Sequence, residues 1–146
     1  MKSLGLISCT KSKQSYPCKA SEMYSASDLF RKAYAYTVKK YDFVAILSAK
    51  YGLLFLDDEI EPYNLTLNNM TSDEVREWSE RVFRQMNSRL DLRDFGKAFF
   101  HTGKKYRQNL ILKLEELGVK CEVPLKNLGI GKQLAWYKEH ICSVIK

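Results

Sequence analysis

Apolar residues follow two patterns along the chain. In some places they form short continuous runs, and in others they return every three or four positions. Continuous runs are typical of strands buried on both faces, and the wider spacing is typical of amphipathic helices. The runs predict four strands, at 3–8, 42–48, 97–102 and 119–123. The spaced stretches predict four helices, at 25–40, 71–90, 103–117 and 131–145.

Polar residues at the ends of these stretches support the boundaries. Ser25 or Ser27 is placed to cap the first helix, and Thr71 with Glu74 forms a capping box that opens the second. Gly118 follows the third helix as a C-terminal glycine. The long segment 49–70 lacks either pattern and is expected to be irregular.

Strands that alternate with helices predict an α/β fold, a three-layer sandwich with a mostly parallel central sheet of about four strands. The 146 residues fit a single domain, 1–146. In such sheets ligands bind outside the carboxyl ends of the strands. We therefore expect the four segments that leave the strands to form one lysine-rich pocket for a ligand that carries phosphate.

Composition limits the classes of partner that the protein is expected to bind. The net charge of +7 and the pI near 9.2 favour DNA or a nucleotide, although solubility alone accounts for such a charge equally well. Four cysteines without a C-x-x-C pair, and only two histidines, predict no metal site and no cofactor. With no secretory pattern and no apolar run long enough for a membrane, we expect a cytoplasmic protein with reduced thiols; its oligomeric state stays open.

The first two strand ends carry candidate ligand-binding residues. Hydroxyls, backbone amides and lysines in one turn suit an oxyanion, although a solvated polar loop has the same composition. Cys9 is a candidate nucleophile beside lysines or an inert buried thiol, and Ser48 with Lys50 is a weaker Ser/Lys dyad. The candidates are Ser8, Cys9, Thr10, Lys11, Lys13, Ser48, Lys50, Tyr51 and Gly52.

Two predicted helices begin with glycine and lysine. A helix start offers free amides and a positive dipole end, so a nearby lysine completes an anion site. The same glycines are also common where they only shape a turn. The candidates here are Gly103, Lys104, Tyr106, Gly129, Gly131, Lys132 and Gln133.

Three residues are candidates for catalysis. Asp57 and Glu61 lie in an acidic run, where a carboxylate activates water or stabilises a developing cation, unless the run is a solvated loop. His101 ends the third strand and is either an acid–base group or a structural histidine. Tyr63 follows the acidic run and offers a ring on which a flat ligand can stack.

These motifs, taken together and in order, resemble a bacterial and phage family of unknown function that is often labelled YaaA-like after a peroxide-stress protein. The matching stretches are 7–13, 47–54, 60–67, 103–106, 124–125 and 129–134. The stretch 48–52 with Pro62 and Tyr63 is also similar to archaeosine synthase-type proteins, whose corresponding domain resembles the uracil-DNA glycosylase fold. The chain lacks that fold family's Gly-Gln-Asp-Pro-Tyr-His and His-Pro-Ser motifs, so the resemblance implies a fold and DNA binding but assigns no residue roles.

The leading hypothesis is a DNA glycosylase. A flipped base would stack on Tyr51 or Tyr63, Glu61 or Asp57 would stabilise an oxocarbenium-like centre, and His101 would assist the departing base. The phosphates would be held by Lys11, Lys13, Lys50, Lys104 and Lys132. The alternatives are a non-catalytic DNA-binding stress or phage-defence protein, and a hydrolase or transferase of free nucleotides.

Overall fold

The central sheet has five strands within residues 1–141, the part of the chain that a computed structural model describes. Their bounds are β1 Lys2–Ser8, β3 Phe43–Ser48, β4 Gly52–Phe55, β6 Phe95–His101 and β7 Lys120–Glu122. They lie in the order β4-β3-β1-β6-β7. Four of these strands run parallel, and β4 pairs with β3 in the antiparallel sense.

Helices cover both faces of the sheet. The described helices are α1 Ala20–Met23, α2 Asp28–Lys40, α3 Ser72–Arg89, α4 Lys104–Glu116 and α5 Ile130–His140, with 3₁₀ turns at Leu67–Asn69 and Leu92–Asp94. Helices α2 and α5 pack on one face, and α3 and α4 pack on the other. The predicted three-layer α/β sandwich is therefore confirmed. No helix within residues 1–141 combines the length and the apolar character needed to cross a bilayer.

Alternate residues of each strand feed two separate cores. Leu4 and Leu6 of β1 pack under α3 and α4, whereas Ile7 packs under α2 with Val44 and Ile46 of β3. This explains the continuous apolar runs, because a strand between two helix layers has no face turned to water.

Gly5 lets an aromatic ring lie directly on the sheet. A Cβ at this position would collide with the ring of Tyr41, which also stacks on Phe99 at a centroid distance of 4.6 Å. A glycine within a strand often marks such a close approach. The ring lies flat here, and its hydroxyl reaches His101 at the far end of β6.

Local boundary signals are confirmed where the structure tests them. Ser27 caps α2 by accepting the Phe30 amide hydrogen, and Thr71 with Glu74 forms both bonds of the capping box of α3. Gly118 has φ +89°, the left-handed conformation expected after a helix. The predicted end of the last helix near Ile145 lies outside the described residues.

The prediction of an irregular segment 49–70 is wrong in part. It contains β4, which adds the fifth strand, and β5, Glu59–Ile60, which pairs with β2, Cys18–Lys19, in a small antiparallel sheet. These strands are too short to show a period of their own. They form because β4 pairs with β3 and β5 pairs with β2, which gives their backbone groups partners.

Candidate functional site

The carboxyl ends of β1, β3, β6 and β7 meet at one edge of the sheet, as the parallel order requires. The connection from β1 goes to β3 on one side, and the connection from β6 goes to β7 on the other. Adjacent strands whose connections diverge open a crevice at their carboxyl ends, which is where α/β proteins bind ligands. The crevice here lies between the segment after Ser8 and the segment after His101.

A pocket of about 240 Å³ opens beside this crevice, between the starts of α4 and α5. We call it the α4–α5 pocket. Its lining includes no aspartate and no glutamate. The lining residues are Phe100, His101, Thr102, Gly103, Lys104, Arg107, Val123, Leu125, Asn127, Leu128, Gln133 and Tyr137.

Positive charge gathers at this pocket. Gly103 and Gly129 stand at the N-caps of α4 and α5 and bring no side chain to bond the free amides. Arg107 donates to the Thr102 carbonyl oxygen at 2.6 Å, and partial burial lowers the pKa of its guanidinium. Within residues 1–141 neither Arg107 nor Lys104 has a carboxylate at ion-pair distance. The arrangement suits an anion.

Two amide side chains shape the far wall of the pocket. Asn127 has φ +69°, the only positive φ of a non-glycine residue in the described chain. Asparagine tolerates this conformation better than most residues, and here it turns the chain into α5. Gln133 donates from Nε2 to the Leu128 carbonyl oxygen at 2.8 Å and so folds back over the start of the same helix.

His101 ends β6 as predicted, but its ring is buried. The Tyr41 hydroxyl lies 2.7 Å from Nε2, and the Tyr137 hydroxyl lies 2.7 Å from Nδ1. Burial lowers the pKa of His101 to about 4. A neutral imidazole with both nitrogens bonded has no free proton for a leaving group, so the geometry favours the structural alternative.

A chain of three hydrogen-bonded hydroxyls lies on the other side of β1. Ser48 Oγ is 2.7 Å from the Tyr63 hydroxyl, which is 2.7 Å from the Tyr24 hydroxyl. Ser48 Oγ also accepts the Tyr51 amide hydrogen at 3.0 Å. Burial raises the pKa of Tyr24 and of Tyr63 well above the ordinary value, so both phenols stay neutral. With Ser48 fully buried, the proposed Ser/Lys dyad has no accessible nucleophile.

Cys9 follows β1 at the crevice and packs against residues on both sides of the sheet. Its Sγ lies 3.3 Å from the Tyr106 hydroxyl in the first turn of α4. Lys13, from the same loop as Cys9, places its ammonium 4.5 Å from the centre of the Tyr63 ring. Burial lowers the pKa of Lys13, and the nearby Cys9 partly offsets this effect.

Glu61 lies at the rim of this edge. The Tyr51 hydroxyl accepts the Glu61 amide hydrogen at 3.2 Å and meets the Glu61 carbonyl oxygen at 3.4 Å. The Tyr51 ring stands edge-on to Tyr63 at 5.7 Å, and the ammonium of Lys50 lies 5.3 Å from its centre. The Glu61 side chain is itself exposed.

Asp57 and Gly52 do not belong to the crevice. Strand β4 runs away from the carboxyl edge, so Asp57 emerges at the amino edge, exposed and 3.8 Å from Lys19. Gly52 has φ +77°, and a Cβ there would collide with Gln85 of α3. Its role in the structure is to let Gln85 close over the turn.

The remaining predicted residues spread along the edge, so the structure does not bring all the lysines into one pocket. Lys50 lines a separate groove beside α3, with Trp78 at its base. Ser8 and Thr10 are half-buried in the loop after β1, and the Thr10 hydroxyl donates to the Ser12 carbonyl oxygen. The exposed residues are Lys11, Gly129, Gly131 and Lys132.

Several residues at this edge escaped the sequence analysis. Arg107 lies three residues after Lys104 on the same face of α4, so helical spacing carried a usable signal. Asn127 stands two residues before Gly129 in a turn sequence, which is a weaker signal. No local pattern singles out Tyr137, because it meets His101 only through the fold.

Comparison with known proteins identifies a family. The sequence model of a family of unknown function (DUF6884) matches residues 4–139. A search of curated proteins found no match. Neither comparison links the chain to YaaA-like or uracil-DNA glycosylase-like proteins, so that resemblance stays a prediction.

Proposed function

The chain belongs to DUF6884, a family of unknown function, and from the chemistry of its carboxyl edge we propose that it binds DNA through a phosphate in the α4–α5 pocket and hydrolyses an N-glycosidic bond of the bound strand. The proposal has two parts, an anion site and a bond-breaking step. The geometry supports the first more strongly than the second.

One observation carries the anion site. Lys104 and the partly buried Arg107 line a pocket without carboxylates at the start of α4, whose N-cap Gly103 leaves the first-turn amides without a side-chain partner. Desolvating a cation is unfavourable unless an anion compensates it, and a phosphate supplies that anion with oxygens that match a guanidinium. A phosphate of DNA or of a free nucleotide fits this description.

The position of the pocket suggests how a nucleotide would lie. Strands β3 and β6 flank β1, so their carboxyl ends are about 10 Å apart. A nucleotide with its phosphate at Arg107 would cross the end of β1 and bring its base toward Tyr51 and Tyr63. Lys13 and Lys50 lie over these rings, and each would move to the backbone as a base stacks.

Glu61 is the carboxylate best placed for the chemical step. It lies at the rim beside Tyr51, whereas Asp57 is at the opposite edge of the sheet. A carboxylate near the sugar stabilises the positive charge that develops as the glycosidic bond breaks. With His101 fully bonded, the base would leave without a proton from that histidine.

A second candidate is a hydrolase of free nucleotides, which the size of the pocket favours. A cavity of about 240 Å³ closes around one phosphate group more readily than around a continuous strand. A DNA-binding protein without catalysis, with a role in stress or phage defence, uses the same cations. These three activities differ in their products, so one experiment separates them.

The test is incubation with single-stranded and duplex oligonucleotides that contain ordinary and modified bases, and with the matching free nucleotides. Abasic sites are detected by strand scission in alkali, and released bases by chromatography. We expect abasic sites in DNA, and Glu61→Gln should remove turnover while DNA binding stays. Arg107→Gln and Lys104→Gln should each weaken DNA binding about 10- to 100-fold, the value of a charge-assisted hydrogen bond.

Arg76→Gln is the matched control, since this exposed arginine lies on α3 and pairs with Asp73. Bases released only from free nucleotides would favour the second candidate. Intact DNA and intact nucleotides, with binding retained, would leave the non-catalytic alternative. Equal effects of Arg107→Gln and Arg76→Gln on binding would contradict the anion site itself.

A further inference from the structure

A buried hydrogen-bonded row of three side chains, Tyr41, His101 and Tyr137, ends at the α4–α5 pocket. Each hydroxyl lies 2.7 Å from one nitrogen of the imidazole. The row holds three polar hydrogens, one on each hydroxyl and one on the neutral ring, whereas its two contacts use only two of them. One hydroxyl hydrogen is left over, and the tautomer of His101 decides whether it belongs to Tyr41 or to Tyr137.

The surroundings of the two hydroxyls favour one tautomer. Tyr41 lies flat against Phe99, and among the described residues its hydroxyl has no hydrogen-bond partner besides His101. Tyr137 lines the α4–α5 pocket, where water or a ligand accepts a hydrogen bond. A buried donor without an acceptor costs free energy. The favoured arrangement therefore has Tyr41 donating to Nε2 and Nδ1–H donating to Tyr137, which leaves the Tyr137 hydrogen for the pocket.

This donor lies deep in the molecule. Tyr137 is only 2 % exposed, although it belongs to the lining of the pocket. The same lining includes Phe100 and Leu125, two buried core residues, so the pocket ends against the core. Its volume of about 240 Å³ lies below the roughly 300–1,000 Å³ of common ligand pockets. The pocket therefore admits one compact group and not a whole nucleotide.

A phosphate that reaches a buried donor enters such a pocket by its free end. A phosphate within a strand carries a sugar on two of its oxygens, so its chain would have to leave the cavity twice. A terminal monoester carries one sugar, presents three unsubstituted oxygens and has a charge of about −1.5 to −2 at pH 7. Lys104 and Arg107 bring two positive charges to the same lining, which match that charge.

We propose that the α4–α5 pocket binds a terminal phosphate monoester and that Tyr137 donates a hydrogen bond to one of its oxygens from the inner wall. The end of a DNA strand and a free nucleotide share this chemistry. The proposal rests on the anion site of the proposed function, and it specifies the class of phosphate that this site takes. It does not depend on the cleavage of a glycosidic bond.

The test compares single-stranded oligonucleotides that differ only at one end, with affinity measured by fluorescence anisotropy and the label at the other end. The variable end, 5′ or 3′, carries a hydroxyl, a phosphate, or a phosphate capped as its methyl ester. We expect the phosphate at one of the two ends to bind about 10-fold more tightly than the hydroxyl, as charge-assisted hydrogen bonds do. The methyl ester should lose most of this gain, because it blocks one oxygen and removes charge.

Tyr137→Phe removes only the hydroxyl and should reduce the preference for the phosphate end to about 2-fold. Affinity for the hydroxyl end should stay unchanged in this variant. Tyr36→Phe is the matched control, because the Tyr36 ring lies 5.7 Å from that of His101 and 5.8 Å from that of Tyr137 without lining the pocket. It loses the same phenol hydroxyl and should keep the full preference. The comparison of ends on the wild type needs no variant to fold.

Competition by nucleoside monophosphates separates the two sources of the phosphate. Displacement of the phosphorylated strand at equal concentration would indicate a free nucleotide, and much weaker displacement would indicate a strand end; both support the site. Equal affinity for hydroxyl and phosphate ends at both positions would overturn the inference and leave DNA binding through an internal phosphate intact. An equal loss of preference in Tyr36→Phe and Tyr137→Phe would also overturn it. A retained preference without released bases would contradict the glycosidase reaction alone.

Discussion

His101 shows how the surroundings decide what a residue does. Its ring is 7 % exposed and lies between the hydroxyls of Tyr41 and Tyr137, from α2's end and from α5. One hydroxyl donates and the other accepts, because a neutral imidazole has one N–H and one lone pair. The histidine thus joins both helices of one layer to β6.

This arrangement predicts acid sensitivity. The folded-state pKa of about 4 lies below the ordinary 6.5, so the unfolded chain binds the proton more readily. The neutral histidine's contribution to the free energy of unfolding is therefore complete above pH 6.5, and it is lost as the pH falls toward 4. Between pH 7 and pH 4.5 the wild type should lose about 2 kcal/mol more unfolding free energy than His101→Gln, measured by urea denaturation. Parallel pH profiles for the two proteins would contradict this assignment.

Helix α3 provides hydrogen-bond partners for the edge strand β4 and the turn before it. Gln85 accepts the Leu53 amide hydrogen at 2.8 Å and donates to the Tyr51 carbonyl oxygen at 3.1 Å. These bonds satisfy one amide of β4 and one carbonyl of the turn before it, where an edge strand would otherwise present free backbone. Gly52 makes the approach possible because it has no Cβ.

Gln85→Ala should lower the free energy of unfolding by about 1–2 kcal/mol, since two backbone groups lose their partner. Amide hydrogen exchange at Leu53 should quicken in the same variant, which separates a local effect from a general one. Arg84→Ala, at the exposed neighbouring position of the helix, should change the stability by less than about 0.5 kcal/mol. Unchanged exchange at Leu53 would show that the bond to Gln85 does not protect the strand.

The carboxyl edge of the sheet collects cations from four separate segments, because each parallel strand delivers its following loop to the same edge. An apolar groove at the amino edge has Asp42, Asp57 and Asp58 and no lysine or arginine in its lining. We therefore expect a polyanion to bind across the carboxyl edge.

The salt dependence of DNA binding tests whether DNA binds at the carboxyl edge. Lys104→Gln with Lys132→Gln should reduce the slope of log affinity for DNA against log salt by about 2, because each lysine that is removed leaves one DNA phosphate with its counterions. Lys39→Gln with Lys40→Gln removes the same charge at the end of α2, which lies at the amino edge, and should leave the slope nearly unchanged. Equal slopes in the two double variants would mean that DNA is attracted to the net charge and not to the carboxyl edge.

Local patterns predicted much of the fold and only part of the candidate site. Ser27, Thr71 and Gly118 act as expected, because caps depend on a few neighbouring residues. The short strand β4 was missed because four residues are too few to show a period. At the candidate site, Lys104 was predicted from its position at a helix start. His101 was predicted as either an acid–base group or a structural histidine, and its buried ring favours the structural role.

The sequence by itself determined the alternation of strands and helices, their caps, and the edge at which loops with lysine and glycine would gather, since periodicity and parallel order act over short distances. Tertiary structure decided which of those residues meet. Cys9 and Tyr106 are 97 positions apart, and Tyr41 and His101 are 60 apart. Such contacts depend on strand order and on a glycine that lets one ring cross the sheet, and no pattern of neighbouring residues encodes them.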